Sequence, residues 1–143
     1  MHIAVINGPN LNLLGNRENE IYGNQHFESF FDELVRKYPQ LSLSYYQSNI
    51  EGELVNAIQQ FGTTSDGIVL NPAAYTHTSV AIGDAIAAIR IPVVEVHISN
   101  VHNREEFRKL NYVSAKVVGS IFGLGLKGYD LAISYLLSLQ KEN

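Results

Sequence analysis

A chain of 143 residues, 45% of them hydrophobic, has room for one domain with a substantial core and too little for two. Its net charge of −4, with Lys and Arg scattered rather than gathered in a stripe, argues against nucleic acid or an anionic membrane as principal partner. The absence of cysteine removes disulfides and thiol chemistry, and no apolar run approaches the roughly 18 residues of a membrane span.

Met1 leads straight into Ile3 to Ile6, with no basic and apolar leader, so a cytoplasmic protein is expected. This β-branched run stops at Asn7-Gly8-Pro9-Asn10, which predicts a buried strand entering a turn. From Asn10 onward no period of 2 or 3.6 is sustained, and Asn12, Arg17, Glu18, Glu20 and Tyr22 stand among the pivots Gly15 and Gly23. Connections usually take about 4–6 residues, so this longer stretch reads as a lid or binding loop.

Phe27, Phe30, Phe31, Leu34 and Val35 form the stripe of an amphipathic helix that Pro39 closes. Leu41 to Gln47 alternates like a half-buried strand. A second helix is expected from an Asn49 cap through Leu54, Val55, Ile58 and Phe61, with Gly62 past its end. Gly67 to Leu70 is a short strand ending at Asn71-Pro72. A third helix follows His77, capped by Thr78 or Ser79, with Val80, Ala81, Ala85, Ile86 and Ile89 inward. Pro92 to His97 is a fourth strand, Arg104 to Phe107 one helical turn, and Lys116 to Val118 a fifth strand. Tyr129 to Leu139 is a final helix through Leu131, Ala132, Tyr135 and Leu136.

Strands alternating with helices at this spacing imply parallel strands joined by right-handed crossovers, with helices on both faces. The expected fold is therefore α/β, a flavodoxin-like three-layer sandwich around a five-stranded parallel sheet. Ligands in such sheets bind beyond the carboxyl ends of the strands. Asn7, Asn10, Asn71 and His97 to Asn100 all fall there.

Glu95 interrupts the apolar run Val93 to Val96, where a lone carboxylate is expensive to bury. Period 2 places it on the same face as His97, so the carboxylate can hold one imidazole nitrogen and fix which nitrogen meets a substrate. On the long loop, Arg17 lies five residues before Tyr22, and a guanidinium lowers a neighbouring phenol's pKa by about 1–3 units. Eight tyrosines in the chain make a structural role the better reading of Tyr22 taken alone. Gly123-Leu124-Gly125-Leu126-Lys127-Gly128 matches the dinucleotide fingerprint, but only fifteen residues follow it, too few for another strand bearing a ribose-binding acid about 20 residues on. Tight packing of the last helix explains these glycines better. The five histidines supply no metal-ligand spacing.

The segments Gly8 to Gly15, Arg17-Glu18, Tyr22-Gly23, Asn71-Pro72, Thr76 to Ser79, Glu95 to Asn100, Arg104 to Arg108 and Gly123 to Gly125, in this order over nearly the whole chain, closely resemble type II 3-dehydroquinase. The resemblance implies dehydration of 3-dehydroquinate to 3-dehydroshikimate by anti elimination through an enolate, with no metal, organic cofactor or Schiff base. It assigns Tyr22, as tyrosinate, to remove the C2 proton and Arg17 to stabilise it. Asn10 stabilises the enolate through a water, and His97, oriented by Glu95, protonates the departing hydroxyl. Asn71, His77, Ile98, Ser99 and Arg108 match positions that grip hydroxyls and carboxylate. Asp84 matches one contributed to a neighbouring subunit, in trimers that assemble by fours into a dodecamer.

Four departures stand out. Asn19 replaces a usual Pro, Ala73 a common Gly, Leu110-Asn111 a frequent His-Ser, and Gly83 stands where Arg is usual. A different enolate-forming lyase or isomerase, or a flavodoxin-like nucleotide or flavin module, remains the rival expectation; a yellow colour or nucleotide absorbance of the purified protein would favour the module.

Overall fold

The computed structural model describes residues 1–16, 20 and 24–140. Its five strands are β1 (His2–Asn7), β2 (Ser42–Gln47), β3 (Gly67–Asn71), β4 (Val93–His97) and β5 (Gly119–Phe122); the helices α1 (Phe27–Lys37), α2 (Glu51–Thr64) and α3 (Val80–Ala88) lie between strands, and α4 (Lys127–Leu139) follows the last. All neighbours pair in parallel, in the order β2-β1-β3-β4-β5. That is the doubly wound order expected from the alternation of elements, with its reversal between β1 and β3.

Each face of the sheet has its own core. Ile3, Val5, Val69, Val94 and Val96 pack with Phe27, Phe30 and Leu34 of α1 and Tyr129, Ile133 and Leu136 of α4. Ala4, Ile6, Ile68, Leu70 and Val93 pack on the other side with Leu54 and Ile58 of α2 and Ile82 and Ile86 of α3. Strands buried on both faces read as continuous apolar runs, which is why β1, β3 and β4 were visible in the sequence. Lys37, Lys127 and Tyr38 converge on Asp130, tying the end of α1 to the start of α4. Burial alone would raise the Asp130 pKa, but these three donors outweigh it and hold the carboxyl at about 2.

Several expected boundaries move. The fifth strand is Gly119–Phe122 rather than Lys116 to Val118, because Lys116 closes a 3-10 turn and Val118 is left exposed while Ile121 and Phe122 pair with Val96 and His97. On α3 the inward residues are Ile82, Gly83, Ala85 and Ile86, whereas Val80 and Ala81 face out. Ser79 is its cap, accepting the Ile82 N–H. On α4, Leu131 and Tyr135 are exposed, and the helix starts two residues early. Asn49 does not cap α2, whose cap position is Ile50. Gly62 lies inside α2, where a Cβ would run into the Ile89 side chain. The turn expected over 104–107 forms instead at Glu106–Lys109.

Gly83 has a similar physical account. A Cβ there would sit 2.7 Å from the Tyr112 carbonyl oxygen, so the segment after β4 lies directly on α3 and leaves no place for an arginine side chain. Gly83→Ala is expected to cost about 1–3 kcal/mol through overpacking and to lower Tm by roughly 3–10 °C. A thermal melt with an unchanged midpoint would show that this contact relaxes freely.

Candidate active site

The carboxyl ends of β1, β3 and β4 surround a cavity of about 110 Å³. Asn10, Asn71, His77, His97, Ile98, Ser99 and Arg108 all line it, so seven of the residues singled out in the sequence meet in one place. Glu95 lies directly beneath, fully buried. Asp84 is exposed on α3 and is not part of this cavity's lining. Arg17, Tyr22 and Asn19 lie outside the described residues.

Glu95 and His97 project from the same face of β4, and the His97 Nε2–H donates to Glu95 Oε1 over 2.7 Å. Four further donors converge on that carboxylate. Thr76 (2.6 Å) and the Asn111 side-chain amide (2.9 Å) reach Oε1, while Ser114 (2.5 Å) and Ser120 (2.8 Å) reach Oε2. A buried carboxylate is costly unless its lone pairs are satisfied, and here they are. Burial pushes the Glu95 pKa up, but the His97 hydrogen bond and charge, with Ser114 and Thr76, overcome it and hold it at about 2. Glu95 is therefore an anion at neutral pH, and Nδ1 is the His97 nitrogen left for proton transfer.

The His97 ring is stacked on Phe122 at 5.3 Å and faces His77 at 6.4 Å. His77 ends the 3-10 turn Ala73–His77 and donates its Nδ1–H to the Leu110 carbonyl at 2.7 Å. Burial foremost pushes its pKa down. The neutral ring thus presents Nε2 as an acceptor, suited to a substrate hydroxyl. His77 thus turns Nε2 to the cavity, and His97 turns Nδ1, the nitrogen that Glu95 leaves uncommitted.

Arg108 is held by Glu105, which accepts its Nε–H at 2.6 Å, and the guanidinium lies over Phe107. Arg104 also lines the cavity and donates to Ser99 Oγ. Two guanidinium groups at the rim favour an anionic ligand. Asn10 takes φ = +70°, a left-handed conformation that asparagine tolerates. Its N–H donates to Asn49 Oδ1 (2.9 Å), and Gln47 donates to both Asn49 Oδ1 and the Gly8 carbonyl. Ala73 has φ = +52°, where an L side chain costs about 1–2 kcal/mol, which explains why glycine suits this position.

Thr76, Asn111, Ser114, Ser120 and Asn49 were not expected at the site: Asn49 was read only as a helix cap, Thr76 only as the start of a matching segment and Asn111 only as a departure, while Ser114 and Ser120 carry no signal in the sequence. Only the demand of Glu95 for partners could have announced the first four. The glycine-rich segment behaves as expected: a Cβ on Gly128 would meet Val96 at 3.1 Å, and Gly123 has φ = +82° against Asn100. No helix among the described residues is long and apolar enough to cross a membrane.

Comparison with known proteins gives a consistent result. The family model described as dehydroquinase class II matches residues 1–137. A 3-dehydroquinate dehydratase of Fusobacterium nucleatum subsp. nucleatum is 51% identical over 143 residues, covering 96% of this chain and 97% of that protein. The crystal structure of a type II dehydroquinase from Butyrivibrio crossotus DSM 2876 superposes with TM-score 0.90 at 48% identity, over 95% of this chain and 97% of its own. One from Propionibacterium acnes gives 0.92 at 42%, over 96% of each.

Proposed function

The chain belongs to the class II dehydroquinase family and is a hydro-lyase acting on 3-dehydroquinate, and we propose that the cavity at the carboxyl edge performs the dehydration in the following way. The C2 proton lies beside the C3 ketone. Tyr22, as tyrosinate stabilised by Arg17, takes that proton, and the C–H electron pair moves into the C2–C3 bond while the ketone oxygen becomes an enolate. Asn10, through a water, offers a preorganised donor to the oxygen as its charge develops. The enolate then collapses to form the C1–C2 double bond and expels the C1 hydroxyl anti to the departed proton. That oxygen takes the Nδ1 proton of His97 and leaves as water. Two proton transfers of this kind are each worth about 10²–10⁴ in rate.

The observation that carries this reading is the His97–Glu95 pair. Glu95, fixed by four other donors, accepts the Nε2–H and stabilises imidazolium, so Nδ1 is left as the proton donor. Asn71, His77, Arg108 and the backbone N–H groups of Ile98 and Ser99 hold the ring hydroxyls and carboxylate. The chain forms one domain over residues 1–143, works in the cytoplasm, and assembles as trimers, four to a dodecamer, with Asp84 reaching a neighbour's cavity.

The test is the rise in enone absorbance when 3-dehydroquinate is added to the purified protein. Turnover that persists in a chelator and survives borohydride in the presence of substrate is expected. A correctly folded protein that releases no enone would overturn the proposed chemistry of this cavity.

A further inference from the structure

Behind Asn71 lies a buried polar cluster whose other two members, Asn7 and Tyr129, take no part in the steps above. The register of β1 against β3 sets Asn7 beside Asn71, both on the face covered by α4. Tyr129, in the first turn of α4 and fully buried, sends its hydroxyl between them. It donates to Asn7 Oδ1 at 2.8 Å and accepts from Asn71 Nδ2 at 2.8 Å. The helix reaches this depth because Gly128 lets it close on Val96 and Ile121.

We infer that Tyr129 is a positioning residue that fixes the orientation of the Asn71 side-chain amide, so that the cavity floor presents an N–H donor, never a carbonyl, to the substrate. The hydroxyl has a single proton. With that proton on Asn7 Oδ1, only its lone pair faces Asn71, and only the Nδ2 end of the amide can meet it. The Asn71 Oδ1 end is occupied by the Ala73 N–H at 3.0 Å. Both ends of the amide are thus specified, and the second N–H of Nδ2 remains for the cavity that Asn71 lines. Burial foremost pushes the Tyr129 pKa far up, which keeps the hydroxyl protonated.

The arrangement does not serve stability alone. Asn7 is fully buried, and its Nδ2 has no hydrogen bond of good geometry, its polar neighbour being the Tyr45 hydroxyl. A buried donor so poorly satisfied is destabilising, and an apolar side chain in its place would pack without that cost. What Asn7 supplies is the acceptor that orients the Tyr129 proton.

The inference rests on Asn71 touching substrate, and a double-mutant cycle separates the two claims. Tyr129→Phe, Asn71→Ala and the double variant are compared by kcat and KM. Asn71→Ala is expected to lower kcat/KM by about tenfold or more, mainly through KM. Tyr129→Phe is expected to reproduce most of that loss, and the double variant to match Asn71→Ala within about twofold. If Asn71→Ala loses nothing, its contact with substrate fails and Tyr129 has nothing to act through. If Asn71→Ala loses activity but the two losses multiply, the contact stands and the positioning role is overturned.

A second measurement does not need Tyr129→Phe to fold. The wild-type Asn71 carboxamide protons, identified by their loss in Asn71→Ala spectra, are expected to exchange slowly with solvent, and one of them to shift when 3-dehydroshikimate is added. Fast exchange of both would overturn the inference.

Discussion

His97→Ala is expected to lower kcat by about 10²–10⁴ while changing KM little, and Tyr22→Phe to produce a loss of the same order. Removing the imidazole leaves the C1 hydroxyl to depart without a proton donor. Added imidazole should restore part of the rate of His97→Ala. The fold should survive, because Thr76, Asn111, Ser114 and Ser120 still satisfy Glu95 after the ring is gone. The measurement is steady-state dehydration followed by enone absorbance, with a thermal melt alongside. A variant within tenfold of the wild type would remove His97 from the proton-transfer step.

The second large effect belongs to Glu95. In Glu95→Gln the amide oxygen can still accept, but its NH2 is set among donors, and each donor left unmatched costs about 1–3 kcal/mol. An amide also withdraws the negative charge that faces the His97 Nε2–H, so the ring loses the partner that orients and supports it during proton transfer. A fall in kcat of about 10²–10⁴ is expected, the size seen when the carboxylate of a carboxylate–histidine pair is made neutral in serine proteases.

The pH dependence of stability follows the same group. Glu95 goes from 4.5 when unfolded to about 2 when folded, a depressed value, so its contribution is present above 4.5 and lost as pH falls toward 2. That difference corresponds to about 3 kcal/mol. Asp130, depressed from 3.8 to about 2, is lost over a similar window. Denaturant titrations from pH 5 to pH 2 should show wild-type stability falling steeply and Glu95→Gln falling less. Parallel curves would mean that the carboxylate is not an anion in the folded state.

Much of this was legible in the chain because of how the sheet is buried. β1, β3 and β4 are covered on both faces, so their apolar runs and the Asn or His residues that end them stand out, and period 2 alone pairs Glu95 with His97. β5 was misplaced because Val117 and Val118 look more like a strand than Gly119 and Ser120, yet pairing with β4 decided the matter. α3 offered apolar residues at nearly every position of Val80 to Ala88, so its inward face could not be read from spacing. Ser120, Ser114 and Asn111 are ordinary polar residues until a buried carboxylate comes within reach. Tyr129 is one tyrosine among eight, and its partner Asn7 lies 122 residues away, a distance no local pattern spans.

The sheet also divides the cavity's supports. Glu95 and its serine and threonine partners stand on the side of α2 and α3, whereas Asn7, Asn71 and Tyr129 stand on the side of α1 and α4. In the proposed mechanism, a substitution that loosens α2 or α3 is expected to disturb the proton donor together with His77, and one that loosens α1 or α4 to disturb the Asn71 contact alone. Variation in ligand preference should accumulate preferentially behind Asn71, and variation in working pH behind Glu95.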